Sequence, residues 1–95
     1  MNPISRLPLV VTLYVLKGKT GKRYVGITNN LPRRIQEHRI KVTKGGQILG
    51  DFSVVHTEEF PDHRTARERE KFLKSGQGRK WLEGLEVRSQ PAEGG

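Results

Sequence analysis

Apolar residues are concentrated near the start of the chain, in residues 9–16 (LVVTLYVL). This segment is rich in β-branched and aromatic side chains, a composition that favours a buried β-strand. Residues 17–22 (KGKTGK) form a glycine-punctuated turn, and residues 23–27 predict a second strand, so the two strands make a β-hairpin. Residues 52–60 (FSVVHTEEF), whose side chains alternate between two faces, predict a third strand.

A first helix is predicted between the hairpin and the third strand. Asn30 can cap its N-terminus, and Pro32 is tolerated in the first turn because an N–H there would have no helical partner. The helix is expected to cover residues 31–42 and to be ended by residues 44–46 (KGG).

A second helix is predicted after the third strand. The sequence TARE at residues 65–68 matches a capping box, and Ser75-Gly76 ends the helix. A short helical turn is expected around Trp81. The order β-β-α-β-α-α predicts an α+β domain in which helices flank a three-stranded antiparallel sheet.

The chain is expected to form one domain, because its 95 residues match the usual size of a single domain, about 100–150 residues. We assign residues 1–8 to an N-terminal extension, residues 9–83 to the domain and residues 84–95 to a flexible tail. A monomer is the default expectation for such a domain.

The sequence contains no cysteine, which excludes disulfides, thiolate metal sites and a cysteine nucleophile. Its apolar segments are too short to span a bilayer, and no signal-peptide cleavage site follows the first of them. We therefore expect a cytoplasmic protein without a membrane anchor.

Charge is distributed unevenly along the chain. Residues 1–50 contain ten Lys and Arg and one acid, whereas residues 51–95 contain eight Lys and Arg and nine acids. This asymmetry indicates an anionic partner, and nucleic acid is the commonest one for a basic chain. A basic surface that only keeps the protein in solution is the alternative.

The predicted first helix carries two polar side chains beside its apolar stripe. Leu31, Ile35 and Val42 define the stripe. His38 lies within it, and Arg34 lies on its flank one turn earlier. An arginine at the edge of an apolar stripe more often extends its charged end into water than takes part in catalysis. A histidine within the stripe is more often a core residue whose ring nitrogens already have hydrogen-bond partners.

Glu70 borders the apolar face of the second helix, where a carboxylate needs a cation. The cation is either a metal or a protein group, and spacing alone favours an i,i+4 ion pair with Lys74. Tyr14 and Tyr24 lie in the middle of their predicted strands, where packing is the simplest role for each.

Four short motifs follow one another along the chain. They are LYV at residues 13–15, YVG at residues 24–26, NLPRR at residues 30–34 with His38 beyond it, and AxxxExxxKSG at residues 66–76. In this order and spacing the motifs resemble the GIY-YIG endonuclease superfamily. The similarity covers residues 12–81. It is greatest to the small stand-alone bacterial members related to the catalytic domain of the nucleotide-excision repair nuclease.

The resemblance implies catalytic roles for Tyr14, Tyr24, Arg34, His38 and Glu70. Glu70 would hold one divalent cation, Mg²⁺ or Mn²⁺, and Arg34 would contact the scissile phosphate. Tyr14 would orient or deprotonate water, Tyr24 would position water or phosphate, and His38 could accept the proton. A basic role for Tyr14 requires its pKa to fall by several units, and Arg34 and a metal would both act in that direction.

The resemblance also implies DNA as the partner. The side chains expected to hold its backbone are Lys17, Lys19, Lys22, Arg23, Arg33, Arg39, Lys74 and Arg79. Because the sequence shows no second domain, recognition is expected to follow DNA structure, with branched or nicked DNA as candidates, or to have low sequence specificity. A partner protein could supply targeting.

The chain departs from the family pattern in two places. Thr12 stands where the first motif has a glycine, and no asparagine follows Asn30, although many members carry one beyond the glutamate. A non-catalytic nucleic-acid-binding module on the same fold is therefore the alternative function. A basic RNA- or ribosome-associated structural protein is a third interpretation.

Overall fold

Three strands and four helices make up the described part of the chain. The computed structural model describes the backbone of residues 10–89 and the side chains of residues 10–86. The predicted N-terminal extension, residues 1–8, lies outside the described residues. In chain order the elements are β1 (Val11–Gly18), β2 (Arg23–Thr28), α1 (Leu31–Arg39), α2 (Lys44–Leu49), β3 (Phe52–Phe60), α3 (His63–Lys74) and α4 (Gly76–Ser89).

Strand β1 lies at the centre of an antiparallel sheet of order β2-β1-β3. It is the most apolar of the three strands, and its residues from Leu13 to Leu16 are at most 1% exposed because both faces of the sheet are covered there. The register between β1 and β3 shifts at a β-bulge, in which Val55 is the extra residue. The predicted three-stranded antiparallel sheet and α+β class are confirmed.

The two faces of β1 enter two different apolar clusters. Leu13 and Val15 pack against residues of α3 and α4 on one face. Tyr14 and Leu16, which alternate with them, pack on the other face against residues of α1 and α2. Tyr14 is therefore directed toward α1, the helix that carries Arg34 and His38 of the predicted site.

Helix α1 is shorter than predicted. It ends at Arg39, and the chain turns through Lys41, whose backbone has a positive φ of 62°. Val42, which the periodicity assigns to the apolar stripe, lies beyond the helix and is 63% exposed. The buried stripe of α1 thus ends at His38.

The segment predicted to end the first helix forms a helix of its own, α2. Thr43 caps this helix by accepting a hydrogen bond from the Gly46 N–H. Gly45 and Gly46 are both buried. A Cβ at Gly45 would overlap the ring of Tyr24, and a Cβ at Gly46 would overlap the backbone of His38. These glycines permit a close approach of α2 to the site, and the observed order is β-β-α-α-β-α-α.

Helix α3 begins two residues before the predicted capping box. Its N-cap is Asp62, whose Oδ1 accepts a hydrogen bond from the Thr65 N–H at 2.8 Å. The capping-box prediction is wrong. With Asp62 as the N-cap, Thr65 lies inside the first turn and donates its own N–H to the aspartate. The predicted end of the helix at Ser75 is confirmed.

Helix α4 runs from Gly76 to Ser89, where the sequence predicts only a short turn around Trp81. Three glycines lower its intrinsic helix propensity, and burial of Leu82 against the sheet compensates. Residues 84–89 are thus helical rather than part of a flexible tail, and residues 90–95 lie outside the described residues. Within residues 10–89, no helix is long and apolar enough to cross a membrane.

Candidate active site

A tyrosine and a histidine form a buried hydrogen bond on the face of the sheet covered by α1 and α2. Tyr14 comes from the central strand and His38 from the last turn of α1, and neither side chain is more than 1% exposed. The Oη atom of Tyr14 lies 2.8 Å from Nε2 of His38. The fold therefore brings together two residues that are 24 positions apart in sequence.

Tyr24, the second predicted tyrosine, lies beside this pair on strand β2. Its ring centroid is 6.2 Å from that of Tyr14 and 5.1 Å from that of His38. Gly26 pairs with Tyr14 across the two strands, and a Cβ at this glycine would overlap the Tyr14 hydroxyl. The YVG motif thus supplies one tyrosine and makes room for the other.

Arg34 lies one helical turn before His38, and its half-buried guanidinium joins the same cluster. It donates a hydrogen bond from Nη1 to Oε1 of Glu37 at 2.9 Å. It also interacts with the Tyr14 hydroxyl, and this hydroxyl and the Glu37 carboxylate together raise the pKa of Arg34. Arg34 is therefore a permanent cation beside the tyrosine.

Burial makes the Tyr14 phenol harder to deprotonate. Desolvation raises the pKa of Tyr14 to about 12. Arg34 lowers this pKa, as expected, but its effect is smaller than that of burial. Burial also lowers the pKa of His38, and the positive charge of Arg34 adds to this effect. The tyrosine is thus a neutral phenol, and the histidine is a neutral imidazole able to accept a proton.

Glu70 is paired with a lysine on its own helix. Its Oε2 atom lies 3.1 Å from Nζ of Lys74, and its side chain is 18% exposed. This is the i,i+4 ion pair that spacing alone favours. Lys74 also lines a groove that includes Tyr24, whereas Glu70 does not line that groove.

The donor set is compatible with Mg²⁺ but supplies only one carboxylate. Within the part of the chain that the structure describes, no three His, Asp or Glu side chains converge on a metal position. Proteins commonly bind Mg²⁺ through one or two carboxylates, while water and substrate phosphates provide the other ligands. The Glu70 carboxylate fits that mode.

The groove beside Tyr24 collects half of the cations predicted to bind nucleic acid. They come from the hairpin, α3 and α4, and they are Lys22, Arg23, Lys74 and Arg79. The other four lie outside this groove. Lys19 and Arg33 are exposed and make long ion pairs of 3.7 and 3.9 Å, and the Arg39 guanidinium lies 5.0 Å from the ring centroid of Phe52.

The family model for the GIY-YIG catalytic domain matches residues 11–82. The chain belongs to the GIY-YIG family. This is a family of endonucleases, and the matched span contains both tyrosines together with Arg34, His38 and Glu70.

Relatives of this GIY-YIG domain carry the name UPF0213. One from Clostridium perfringens is 38% identical over 66 residues, which cover 65% of this chain and 68% of the relative. One from the VLF1-GP41 intergenic region of Autographa californica nuclear polyhedrosis virus is 38% identical over 66 residues, or 65% of this chain and 62% of the relative. The solution NMR structure of a Bacillus halodurans UPF0213 protein superposes with a TM-score of 0.53 at 31% identity, covering 88% of this chain and 90% of that chain.

Glu86 neutralises two of the cations predicted to bind nucleic acid, Lys17 and the groove residue Arg23. Its carboxylate accepts a hydrogen bond from Lys17 at 2.9 Å and two from Arg23 at 2.8 Å. Sequence reasoning missed Glu86 because it placed residues 84–95 in a tail, and no local pattern marks this glutamate. Arg23 foremost, and then Lys17, lower the pKa of Glu86 to about 2.

Acid should loosen the contact between α4 and the hairpin. The pKa of Glu86 falls from an ordinary 4.5 to about 2, so its contribution to stability is complete above pH 4.5 and is lost as the pH falls toward 2. We expect Glu86→Gln to lower the free energy of unfolding by about 1 kcal/mol at pH 7 and by much less near pH 2. Urea denaturation at several pH values measures this, and an equal loss in Glu83→Gln would contradict it.

Thr43 is a second residue that sequence reasoning missed. Its Oγ1 atom lies 2.6 Å from Nδ1 of His38 and accepts the Gly46 N–H at 3.0 Å. The only sequence signal is a threonine in front of a short helix, and the two glycines of that helix conceal it.

Proposed function

We propose that this GIY-YIG domain is a metal-dependent endonuclease that hydrolyses phosphodiester bonds in DNA. The observation that carries the proposal is the buried 2.8 Å hydrogen bond between Tyr14 and His38, with the Arg34 guanidinium beside it. This cluster combines a hydroxyl, a neutral proton acceptor and a permanent cation. Hydrolysis of a phosphodiester uses all three kinds of group.

In this proposal each residue of the cluster has one task. Arg34 contacts the scissile phosphate and stabilises the charge that develops on its oxygens. Tyr14 orients the attacking water and takes a proton from it, while the phenolic proton passes to Nε2 of His38. A phenol whose pKa is about 12 stays protonated at neutral pH, so it can take a proton from water only as its own proton passes to an acceptor, and the adjacent imidazole is that acceptor. Tyr24 positions water or phosphate at the edge of the groove.

Glu70 is the residue that would hold Mg²⁺ or Mn²⁺. When bound, such a cation would supply positive charge that offsets the negative charge of the phosphate during cleavage. For Glu70 to hold a metal ion, Lys74 would have to leave its 3.1 Å contact with the carboxylate. The released Lys74 ammonium could then pair with a DNA phosphate. In this proposal the lysine contributes to DNA binding only when Glu70 holds a metal ion.

The DNA backbone would follow the groove that contains Lys22, Lys74 and Arg79, in which Arg23 is already paired with Glu86. Lysine and arginine contacts of this kind grip phosphates and carry little sequence information. We therefore propose recognition of DNA shape, as in branched, flapped or nicked substrates, over recognition of sequence. We further propose that the protein acts as a cytoplasmic monomer and that a partner protein could direct it to its target.

Cleavage assays with a Glu70 variant test the proposal. Wild type should cut end-labelled linear, nicked, flapped or four-way DNA in the presence of Mg²⁺ or Mn²⁺ and should be inactive in EDTA. Glu70→Gln should lose this activity at least 100-fold, because an amide is a weak ligand for a divalent cation.

Lys74→Met is the matched control for this variant. It removes the ion pair with Glu70 but leaves the carboxylate in place, so DNA binding should weaken while metal-dependent cutting persists. Equal losses of cutting in the two variants would show that Glu70 acts only as the partner of Lys74. Cutting in EDTA would contradict the metal requirement.

Two observations favour the second candidate function, a DNA-binding module without cleavage. The Glu70 carboxylate is already compensated by Lys74, and no asparagine follows Asn30 in the sequence. For such a module, folded wild type would retard DNA in a gel without cutting it at any metal concentration. Glu70→Gln would then leave both binding and stability unchanged.

A further inference from the structure

Both ring nitrogens of His38 have a hydroxyl partner. Nε2 lies 2.8 Å from Oη of Tyr14, and Nδ1 lies 2.6 Å from Oγ1 of Thr43. A neutral imidazole carries one proton, so one nitrogen donates and the other accepts. The nitrogen that holds the proton therefore decides whether His38 can take a proton from Tyr14.

We propose that Thr43 is a positioning residue that keeps the His38 proton on Nδ1 and leaves Nε2 as the acceptor for Tyr14. The proposal rests on the proposed nuclease function, since it concerns how the proton acceptor of that site is prepared. A hydroxyl oxygen has two acceptor positions. Thr43 uses one for the Gly46 N–H, at 3.0 Å, and the other is available to the His38 Nδ1–H.

The surroundings of Tyr14 favour the same tautomer. Arg34 has only donors and interacts with the Tyr14 hydroxyl, so the phenolic proton is directed away from it, toward an acceptor on His38 or the neighbouring Tyr24 hydroxyl. Unprotonated Nε2 of His38 is such an acceptor at hydrogen-bond distance. The other titratable groups near the His38 ring are Tyr24 on β2 and Glu37 on α1. Burial lowers the pKa of His38 and so favours the neutral imidazole.

The backbone holds the threonine hydroxyl in place. Thr43 is the N-cap of α2, so its side-chain conformation is set by the hydrogen bond from Gly46 as well as by the imidazole. The same glycine packs so closely on the backbone of His38 that a Cβ there would overlap the His38 carbonyl. The short helix α2 and the ring of His38 are thus fixed as one unit, in the way that outer hydrogen bonds orient histidines elsewhere.

The first test measures the tautomer without DNA or metal. In ¹⁵N-labelled wild type, long-range ¹H–¹⁵N spectra should show the proton of the His38 ring on Nδ1 and an unprotonated Nε2. Thr43→Val, which has the same shape without the hydroxyl, should shift the ring to a mixture of tautomers or to the Nε2–H form. Thr43→Ser keeps the hydroxyl and should retain the wild-type spectrum.

The second test measures cleavage in the same variants. Thr43→Val should lower kcat roughly 10- to 100-fold with KM nearly unchanged, because outer-shell partners typically affect the prepared group and not substrate binding. Thr43→Ser should restore kcat to within about threefold of wild type. Thermal melting separates this effect from loss of the helix cap, which lowers stability without changing the ring nitrogens.

Two results would overturn the role of Thr43. One is a wild-type His38 that carries its proton on Nε2, and the other is a folded Thr43→Val with the wild-type tautomer. A wild type that never cuts DNA would instead overturn the proposed function. The ring-nitrogen spectra would still decide the role of Thr43 in that case.

Discussion

Arg34→Ala should lower kcat for DNA cleavage about 100- to 1000-fold, the usual loss when a preorganised charge-stabilising group is removed from an active site. The guanidinium interacts with the Tyr14 hydroxyl, so a phosphate that approaches the tyrosine also meets this cation. Arg34→Lys should recover only part of the activity, because an ammonium cannot make the paired hydrogen bonds of a planar guanidinium. Single-turnover cleavage of end-labelled DNA with Mg²⁺ measures both effects.

The fold should tolerate the loss of Arg34. Its ion pair with Glu37 spans one helical turn at a half-exposed position, so the free energy of unfolding should change by less than about 1 kcal/mol. Glu37→Gln is the matched control, because it breaks the same ion pair and leaves the guanidinium at the site. It should cut DNA at nearly the wild-type rate. If Arg34→Ala unfolded, or if both variants lost activity equally, Arg34 would be a structural residue.

The parts of the fold that are predictable from the sequence depend on local patterns. The third strand has the predicted bounds, Phe52–Phe60, and the apolar segment after residue 9 becomes the central strand. Tyr14 and Tyr24 are identified by motifs on neighbouring strands, and Arg34 and His38 by their spacing of one helical turn. Periods of two and 3.6 residues carry this information within short windows.

The parts that are not predictable depend on contacts between distant segments. Gly45 is typical of a helix break in the sequence, yet it lies within α2, where the Tyr24 ring packs against it and Thr43 caps the helix. Glu86 pairs with Arg23, 63 positions away, and no local period records such a pair. The role proposed for Thr43 likewise follows from the position of the His38 ring and not from any motif.

Tyr14→Phe should lower kcat about 100- to 10,000-fold and should also destabilise the fold. The activity falls because the proton of the attacking water loses its path to His38, and a positioned acid–base group contributes about that factor. The stability falls because Nε2 of a fully buried imidazole loses its 2.8 Å partner, at a cost of about 1–3 kcal/mol. Urea denaturation and single-turnover cleavage measure the two effects in the same preparation.

Tyr24→Phe is the matched control, since it removes the neighbouring hydroxyl, which also interacts with Tyr14, and leaves the Tyr14–His38 hydrogen bond in place. Its stability should stay within about 0.5 kcal/mol of wild type. Equal destabilisation in the two variants would contradict the special role of the buried hydrogen bond. Full cleavage by a folded Tyr14→Phe would show that the reaction does not pass its proton through this tyrosine.

The pH dependence of wild-type cleavage identifies the group that finally holds the proton. His38 must be neutral to accept it, and burial lowers the pKa of His38 below the ordinary 6.5. The value of kcat should therefore rise with pH to a plateau reached below about pH 7, and fall only as the imidazole becomes charged in acid. A rate that kept rising toward pH 10 would mean instead that Tyr14 ionises by itself, because the pKa of this phenol is about 12. The buried pair makes the first profile the expected one, since Tyr14 can pass its proton on without becoming a free phenolate.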